Sequence, residues 1–297
     1  MGLAVPLDSA GFSLIGALQK GGCTPGKSES ERSCSHMPKN KLEEAHTTRA
    51  AENASSLTET VVGEAVLIQK SLLPREPLRA SSLEVTHLMQ TFSDVGGDFL
   101  DYFFLTDGKL GLYVGDVVGK GLPAAMYGAL AAGGLRAIHK TGAEPAAVLE
   151  LFNRRLRVRP IASRYCTTQY AVYDPVSRVI CIANAGLPLP LHFSARGCQA
   201  IGEGGLPSGL FDRATYEQYK VQLAPGDAVL FTTDGLSEAQ DKNGEPLDME
   251  RLIELCAVLD YSSPEVFLRS LFDSVEEFNG GRPSDDMTAA VLKILSH

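Results

Sequence analysis

Residues 109–140 read KLGLYVGDVVGKGLPAAMYGALAAGGLRAIHK, and this stretch decides the class of fold. An apolar, β-prone run reaches Asp116 and stops. A loop carrying Gly119 and Gly121 turns the chain, and from about Leu122 a run of small residues continues as a helix. A strand followed by a helix would suit a βαβ series, but the flanking sequence does not repeat that unit. Upstream are two more strand patterns, LEVTHLMQ (83–90) and FLDYFFLT (99–106). Downstream a second helix, EPAAVLELFNRRL (144–156), precedes five strand patterns: 165–174, 178–185, 188–193, 216–223 and 227–234. Two amphipathic helices follow at 248–259 and 263–278, and MTAAVLKIL (287–295) closes as a strand. Strands, a helix pair, more strands and another helix pair predict an α+β fold with mainly antiparallel sheets.

Asp116 is one of four acidic motifs placed at a strand end or chain reversal. The others are VGGD ending at Asp98, TTDG containing Asp234, and SDDMT containing Asp285 and Asp286. A strand end holds its backbone still while its carboxylate points into a cleft. In VGGD, Gly96 and Gly97 remove the bulk that would keep Asp98 from a cation; a plain β-turn with a polar Asp explains the motif equally well. After Asp116 the carbonyl of Val117 completes a compact oxygen pair, although Gly119 and Gly121 would also suit a strand–loop–helix connection or a phosphate nest. A buried strand ending in Asp-Gly is common, so TTDG alone is weak. Adjacent carboxylates in SDD repel unless compensated. Carboxylates converging from four parts of a chain require positive charge among them, and hard divalent cations choose such oxygen ligands. The set therefore reads as a two-metal hydrolase acting on phosphate.

Composition narrows the classes. A chain of 297 residues with 44% hydrophobic and 21% charged residues suits a globular domain with ample core. Its net charge of −9 argues against a nucleic-acid partner, which calls for clustered Lys and Arg. Residues 1–57 balance six basic against six acidic side chains, so the acidic excess lies wholly beyond them. The six cysteines (Cys23, Cys34, Cys166, Cys181, Cys198, Cys256) form no CxxC pair, which suits reduced thiols in a cytoplasm. No run is long enough to span a membrane, and no basic-then-apolar leader is present at the N-terminus.

Residues 1–57 lack sustained apolar periodicity and are expected to be disordered. They contain a literal Walker A match, GGCTPGKS (21–28), with Lys27 and Ser28 in the motif positions. That motif works only between a buried strand and a helix, and the residues after it have no apolar face and include Pro38, so nucleotide binding is not expected. Cys34 and His36 are too few for a zinc site. TETVVGEAVLIQKSLLP (58–74) places Val61, Ala65, Ile68 and Leu72 at helical spacing, with Val62, Val66 and Leu73 widening the stripe and Pro74 ending it. The expected organisation is thus a disordered 1–57, a linker or regulatory helix within 58–80, and a catalytic domain over 81–297. Such a helix either packs on its own domain or pairs with a copy of itself as a homodimer.

The four motifs, in this order and within this strand pattern, resemble the SpoIIE-type branch of the metal-dependent protein phosphatase (protein phosphatase 2C) superfamily. The resemblance runs from about Thr58 to the C-terminus and takes in QKSLLP, ANAG (183–186) and GLPSGLF (205–211). It implies two packed β-sheets flanked by helix pairs, with two Mn²⁺ or Mg²⁺ in a cleft at one edge. It assigns the metal positions to Asp98, Asp116, the carbonyl of Val117, Asp234 and Asp285, with Asp116 bridging both ions and Asp286 in support. Asp98, Asp116 and Asp234 are then the catalytic carboxylates. The implied substrate is a phosphoserine or phosphothreonine protein, an anti-sigma factor antagonist among the candidates. Two departures stand out. Val118 occupies the place where many superfamily members carry a His as proton donor, and Leu187 follows ANAG where a His is common.

The expected chemistry uses two ions about 3.5–4 Å apart that share and acidify a water, which then attacks phosphorus in line. None of the six His residues lies within the four motifs and no G-x-S-x-G occurs, so His- and Ser-based nucleophilic catalysis have little support. Two other readings remain open from the residues: a phosphoprotein-binding module that keeps the fold without turnover, and a metal-dependent hydrolase of small phosphate esters. Lys120 lies close in sequence to Asp116, and no Arg is assigned to the substrate phosphate.

Overall fold

A computed structural model describes residues 59–296 of the chain. The segment expected to be disordered, 1–57, lies outside the described residues, as do the Walker A match at 21–28, Cys34 and His36. The chain enters through helix α1 (59–72) and forms strands β1 (Leu78–Ala80), β2 (Leu83–Gln90), β3 (Phe99–Phe104) and β4 (Leu110–Val117). Helices α2 (Gly121–Ile138) and α3 (Pro145–Arg157) follow. Next come β5 (Cys166–Asp174), β6 (Val179–Ala185), β7 (Leu191–Ser194), β8 (Gly197–Ala200), β9 (Gln218–Gln222) and β10 (Ala228–Thr232). Helices α4 (Asp248–Val258) and α5 (Pro264–Asn279) precede the last strand, β11 (Met287–Ile294).

Two sheets result, one in the order β1-β2-β11-β10-β7-β8 and the other β3-β4-β5-β6-β9. Every pairing is antiparallel. The first sheet takes in Leu78–Ala80, so it begins just before the domain start expected at residue 81. The fold is α+β, two packed sheets with a helix pair outside each. Strand periodicity shows how the layers form. In β10, Val229 and Phe231 face the core between the sheets, while Ala228 and Leu230 face α4 and α5. In β11, Ala290, Leu292 and Ile294 face inward, and Met287, Ala289 and Val291 face the helices. Strands covered on both faces read as continuous apolar runs, which is why these two show no polar alternation. The five-stranded sheet is covered likewise by α2 and α3, through Tyr113, Tyr170, Ala131, Leu135, Val148 and Phe152.

The helices follow their sequence. In α3, Pro145 stands in the first turn, where its missing N–H costs nothing, and Arg154, Arg155 and Arg157 complement the C-terminal dipole. Between them Val148, Leu149, Phe152 and Leu156 form one buried stripe. Helix α5 opens on Pro264 and ends at Gly280, whose φ of 64° closes a left-handed cap.

In α1 the apolar stripe expected as one face divides into two. Val62, Ala65, Val66 and Leu72 are half-buried, and Leu73 packs against the inter-sheet core. Val61, Leu67 and Ile68 point outward, with Ile68 61% exposed. The inward face is fixed by polar contacts. Gln69 Nε2 donates to Gly96 O at 2.8 Å and Gln69 Oε1 accepts from Gly96 N at 3.2 Å. Arg136 donates to Leu72 O and pairs with Asp101 at 2.8 Å.

The fully buried Phe231 lies between the sheets. Phe231→Ala is expected to lower stability by about 3–5 kcal/mol, the cost of an aromatic-sized cavity. Val258→Ala, at a site 81% exposed, is expected to change it by less than about 0.5 kcal/mol. Urea denaturation of the two variants measures both.

Candidate metal centre

All four acidic motifs meet at one edge of the paired sheets. Asp98 immediately precedes β3, and Asp116 is the penultimate residue of β4, whose Gly115 pairs with Phe99. Asp234 follows β10 and Asp285 precedes β11, and those strands are neighbours with Thr232 opposite Ala289. One antiparallel strand pair from each sheet therefore supplies two motifs.

Cross-sheet hydrogen bonds bind the two ends together. Asp286 Oδ1 accepts from Phe92 N, and its Oδ2 accepts from Gly97 N, both at 2.7 Å. Asp286 thus turns its charge onto the VGGD backbone. The glycines make that approach feasible: a Cβ at Gly96 would stand 2.3 Å from Asp286 Oδ2, and one at Gly97 2.8 Å from Val117 O and 3.2 Å from Asp116 Oδ1. Gly235 has the same function on the other side, since a Cβ there would stand 1.9 Å from Asp286 O. Thr233 Oγ1 donates to Asp98 Oδ2 at 2.9 Å, linking TTDG to VGGD.

The carboxylates differ in environment. Asp98 is 2% exposed, and its Oδ1 is buried without a hydrogen-bond partner. Burial first, then the Asp286 charge, raises its pKa. Asp116 is raised further, by burial and then by the charges of Asp98, Asp234 and Asp285. Asp234 is pushed up to about 6 by burial, with Glu238 and Asp285 adding to it. Asp285 lies at the open rim, where Lys120 Nζ pairs with its Oδ2 at 3.0 Å. Lys120 also donates to Ser284 O and stands 4.7 Å over the ring of Phe92.

Asp116 therefore feels the charges of Asp98, Asp234 and Asp285, and Asp234 feels that of Asp285. Among the described residues no three His, Cys, Asp or Glu side chains close on a single point as a finished cation cage. The donor set nonetheless fits hard divalent ions on two counts. It is oxygen only, and Asp98 Oδ1 is a buried oxygen without a close hydrogen bond, beside the side chains of Thr288 and Asp116.

Three contributors have contacts that the sequence does not give. Thr233 was passed over as part of an apolar strand end, although hydroxyl donors beside a buried Asp are a signal for it. Lys120 reaches across to the SDD loop, a contact between residues far apart in sequence. Arg164 lies in the α3–β5 loop, where its Nη1 donates to Val118 O at 2.5 Å and Ser163 before it adopts φ 59°. A Cβ at Gly119 would stand 2.3 Å from that nitrogen, so this glycine admits the guanidinium to the Asp116 loop. ANAG and GLPSGLF pack beside it. Asn184 clamps Leu187 through N and O at 3.0 and 2.9 Å, and Ser208 bridges Cys166 through both backbone groups. In this chain Leu187 is a buried core residue.

Comparison with known proteins agrees with this fold. The family model described as stage II sporulation protein E (SpoIIE) matches residues 106–295. The chain is similar to phosphoserine phosphatase RsbU of Bacillus subtilis, at 27% identity over 76% of this chain and 68% of that one. Among solved structures, the SiaA-PP2C domain of Pseudomonas aeruginosa superposes with a TM-score of 0.72 at 22% identity, covering 81% of this chain and 98% of that one. The RsbU and RsbW domains of Rv1364c from Mycobacterium tuberculosis give 0.62 at 27% identity, covering 75% and 62%.

Raised carboxyl pKa values have a definite sign in stability. Between 3.8, the ordinary value, and about 6 for Asp234, the folded state holds a proton that the unfolded state has released. Folded protein then binds more protons than unfolded, and stability falls as pH rises through that window. Metal-free protein is expected to lose melting temperature from pH 4.5 to 7. Asp234→Asn should flatten the slope, and saturating Mn²⁺ should reverse it. Differential scanning calorimetry across pH checks all three.

Proposed function

The chain belongs to the SpoIIE family and is a serine/threonine phosphatase of the PP2C type, and from that premise we propose that it hydrolyses phosphoserine or phosphothreonine on a regulatory protein, with two divalent cations, Mn²⁺ or Mg²⁺, held at the sheet edge. What supports this reading above all is the convergence of the four acidic motifs on one edge, with Asp98 Oδ1 buried and unpartnered. The residues that would hold the ions are Asp98, Asp116, the Val117 carbonyl, Asp234 and Asp285. Bound there, two cations would lower the pKa of water towards neutrality and neutralise charge on the phosphoryl group.

The chain's own residues prepare that chemistry. Thr233 holds Asp98 in one orientation, and the Asp286 clamp fixes the backbone that carries it. Arg164 and Lys120 bring positive charge to the rim on two sides of the Asp116 loop, where an incoming phosphate meets it. Val118 provides no proton donor, so protonation of the leaving oxygen falls to solvent at the open rim. An anti-sigma factor antagonist in the cytoplasm is the substrate class we propose. No helix among the described residues is long and apolar enough to cross a membrane. We also propose that residues 1–57 stand apart from catalysis and that 81–297 carry it.

A second element of the proposal concerns α1. Its Gln69 bonds both backbone groups of Gly96, two residues before Asp98, while Val61, Leu67 and Ile68 face away from the domain. One face thus reads the metal loop, and the other is free to pair with a second copy through 58–73.

Purified protein stripped with EDTA is expected to be inactive on p-nitrophenyl phosphate and on a phosphoserine protein, and to recover with Mn²⁺ or Mg²⁺. Asp116→Asn and Asp234→Asn should each lose about a hundredfold or more in kcat/KM, close to 2.7 kcal/mol of transition-state stabilisation. Turnover of neither substrate would favour a binding module, and turnover of the aryl phosphate alone a small-ester hydrolase. Activity in EDTA would refute the metal reading outright.

For α1, Ile68→Asp is expected to leave the melting temperature nearly unchanged while lowering oligomeric mass by light scattering. Leu72→Asp, on the inward face, should destabilise the domain by about 2–4 kcal/mol. A wild-type protein monomeric at all concentrations would rule out the pairing.

A further inference from the structure

A large cavity lies far from the carboxylates. It holds about 720 Å³, within the range of small-molecule sites, and opens where the β3–β4 and β5–β6 hairpins turn beneath the α2–α3 connection. Gly142 in that connection adopts φ 66°, and the small residues Gly142, Ala143, Ser177 and Cys181 line the space. Its apolar wall includes Phe104, Val172 and Val179. Cys181 belongs to that wall as a neutral group, since burial and then Glu144 push its thiol up to about 11.

Charge around the mouth is unevenly satisfied. The three carboxylates there already have donors. Asp107 pairs with Lys109 at 2.7 Å, Asp174 accepts from Val176 N and Ser177 N, and Glu144 accepts from Gln218 Nε2 and Cys181 Sγ. Lys140 and Lys220 are exposed at the same mouth, and neither has an ion pair among the described residues. An apolar wall beneath two uncommitted ammonium groups is the complement of an amphipathic anion.

We propose that this cavity is a second ligand site, taking a small anion with an apolar body over Val172 and Val179 and a carboxylate, sulfonate or phosphate head between Lys140 and Lys220. The cavity and the proposed metal centre lie at opposite ends of the same two elements. Strand β4 runs from Leu110, beside the cavity, to Asp116, and α2 runs back from Gly121 to Ile138 at the cavity roof.

The test uses the full chain and 8-anilinonaphthalene-1-sulfonate, a fluorescent aryl sulfonate. Saturable binding is expected, with affinity reduced about tenfold or more in Lys140→Glu/Lys220→Glu, since a charge-assisted hydrogen bond contributes at least one such factor. Ala143→Trp, which fills the cavity, should weaken binding similarly, and Lys242→Glu, outside the cavity, should leave it unchanged. All three variants are expected to retain wild-type Mn²⁺-dependent turnover, so a failure of the phosphatase reading would not be mistaken for a failure of this one. Carboxylate and phosphate analogues competing for the dye then distinguish the head groups. Dye affinity unchanged in both the double-lysine and the cavity-filling variants would overturn the proposal, as would dye binding that never saturates.

Discussion

The carboxylate of Asp286 accepts two backbone N–H groups from a turn nearly two hundred residues earlier, and the two sheets depend on that clamp to present one edge. Its energetic logic is that of a buried charge. A carboxyl group at 4% exposure is costly unless it is hydrogen-bonded, and short bonds from Phe92 N and Gly97 N meet that cost. The same bonds satisfy two N–H groups of a turn that has no ladder partner of its own. Three glycines are the steric condition. Gly96 and Gly97 admit the carboxylate and the Val117 carbonyl, and Gly235 admits the Asp286 backbone. Without them the SDD loop and the VGGD turn would stand apart, and the β3–β4 and β10–β11 ends would no longer share an edge.

Within that edge the protein accumulates charge that it does not neutralise by itself. Asp98 and Asp116 both resist ionisation, burial being the larger cause; among neighbouring charges Asp286 raises Asp98, and Asp98 raises Asp116. The cationic side chains that come near are committed elsewhere or only partly: Lys120 to Asp285 at the rim, Arg164 to the Val118 carbonyl. Stability alone would favour neutral side chains at such positions. A fold that instead concentrates carboxylates here gives up stability at this edge, which is what the proposed cation site would require.

Much of this was legible in the chain because burial on both faces produces unmistakable runs. DAVLFTT and MTAAVLKI read as strands for the same reason that they are central ones, each covered by a sheet on one side and helices on the other. The short edge strands β1 and β8 carried no such signal. Three or four residues with mixed exposure look like loop until a partner strand defines them. The acidic motifs were legible as a set, since their positions at strand ends fixed which end of each strand they occupied. Their neighbours were not. Lys120–Asp285 and Arg164–Val118 join residues 165 and 46 apart in sequence, and no local pattern encodes such a pairing. The division of α1 into two faces was hidden for another reason. Val61, Val62, Ala65, Val66 and Ile68 wrap too far around a helix to show which side docks, and the deciding residue is Gln69, polar in an apolar stripe.

The orientation of Asp98 follows from the strand register. Thr233 lies just beyond β10, and Thr288 is the second residue of β11; their backbones pair through Thr233 N and Thr288 O at 2.9 Å. Thr288 N donates at 3.0 Å to the hydroxyl of Thr233, so that oxygen's lone pair is used and its own proton must go elsewhere. Asp98 Oδ2 at 2.9 Å is a better acceptor than Thr288 O at 3.4 Å, being closer and carrying charge. Asp98 Oδ2 is thereby held towards β10, and Oδ1 is left on the buried side near the side chains of Thr288 and Asp116. The free oxygen is therefore produced by the β10–β11 ladder, one backbone proton at a time. A slip of one residue in that ladder would turn the Thr233 hydroxyl to the opposite face and remove the constraint. The carboxylate that looks least satisfied is thus the one whose geometry the sheet determines most completely.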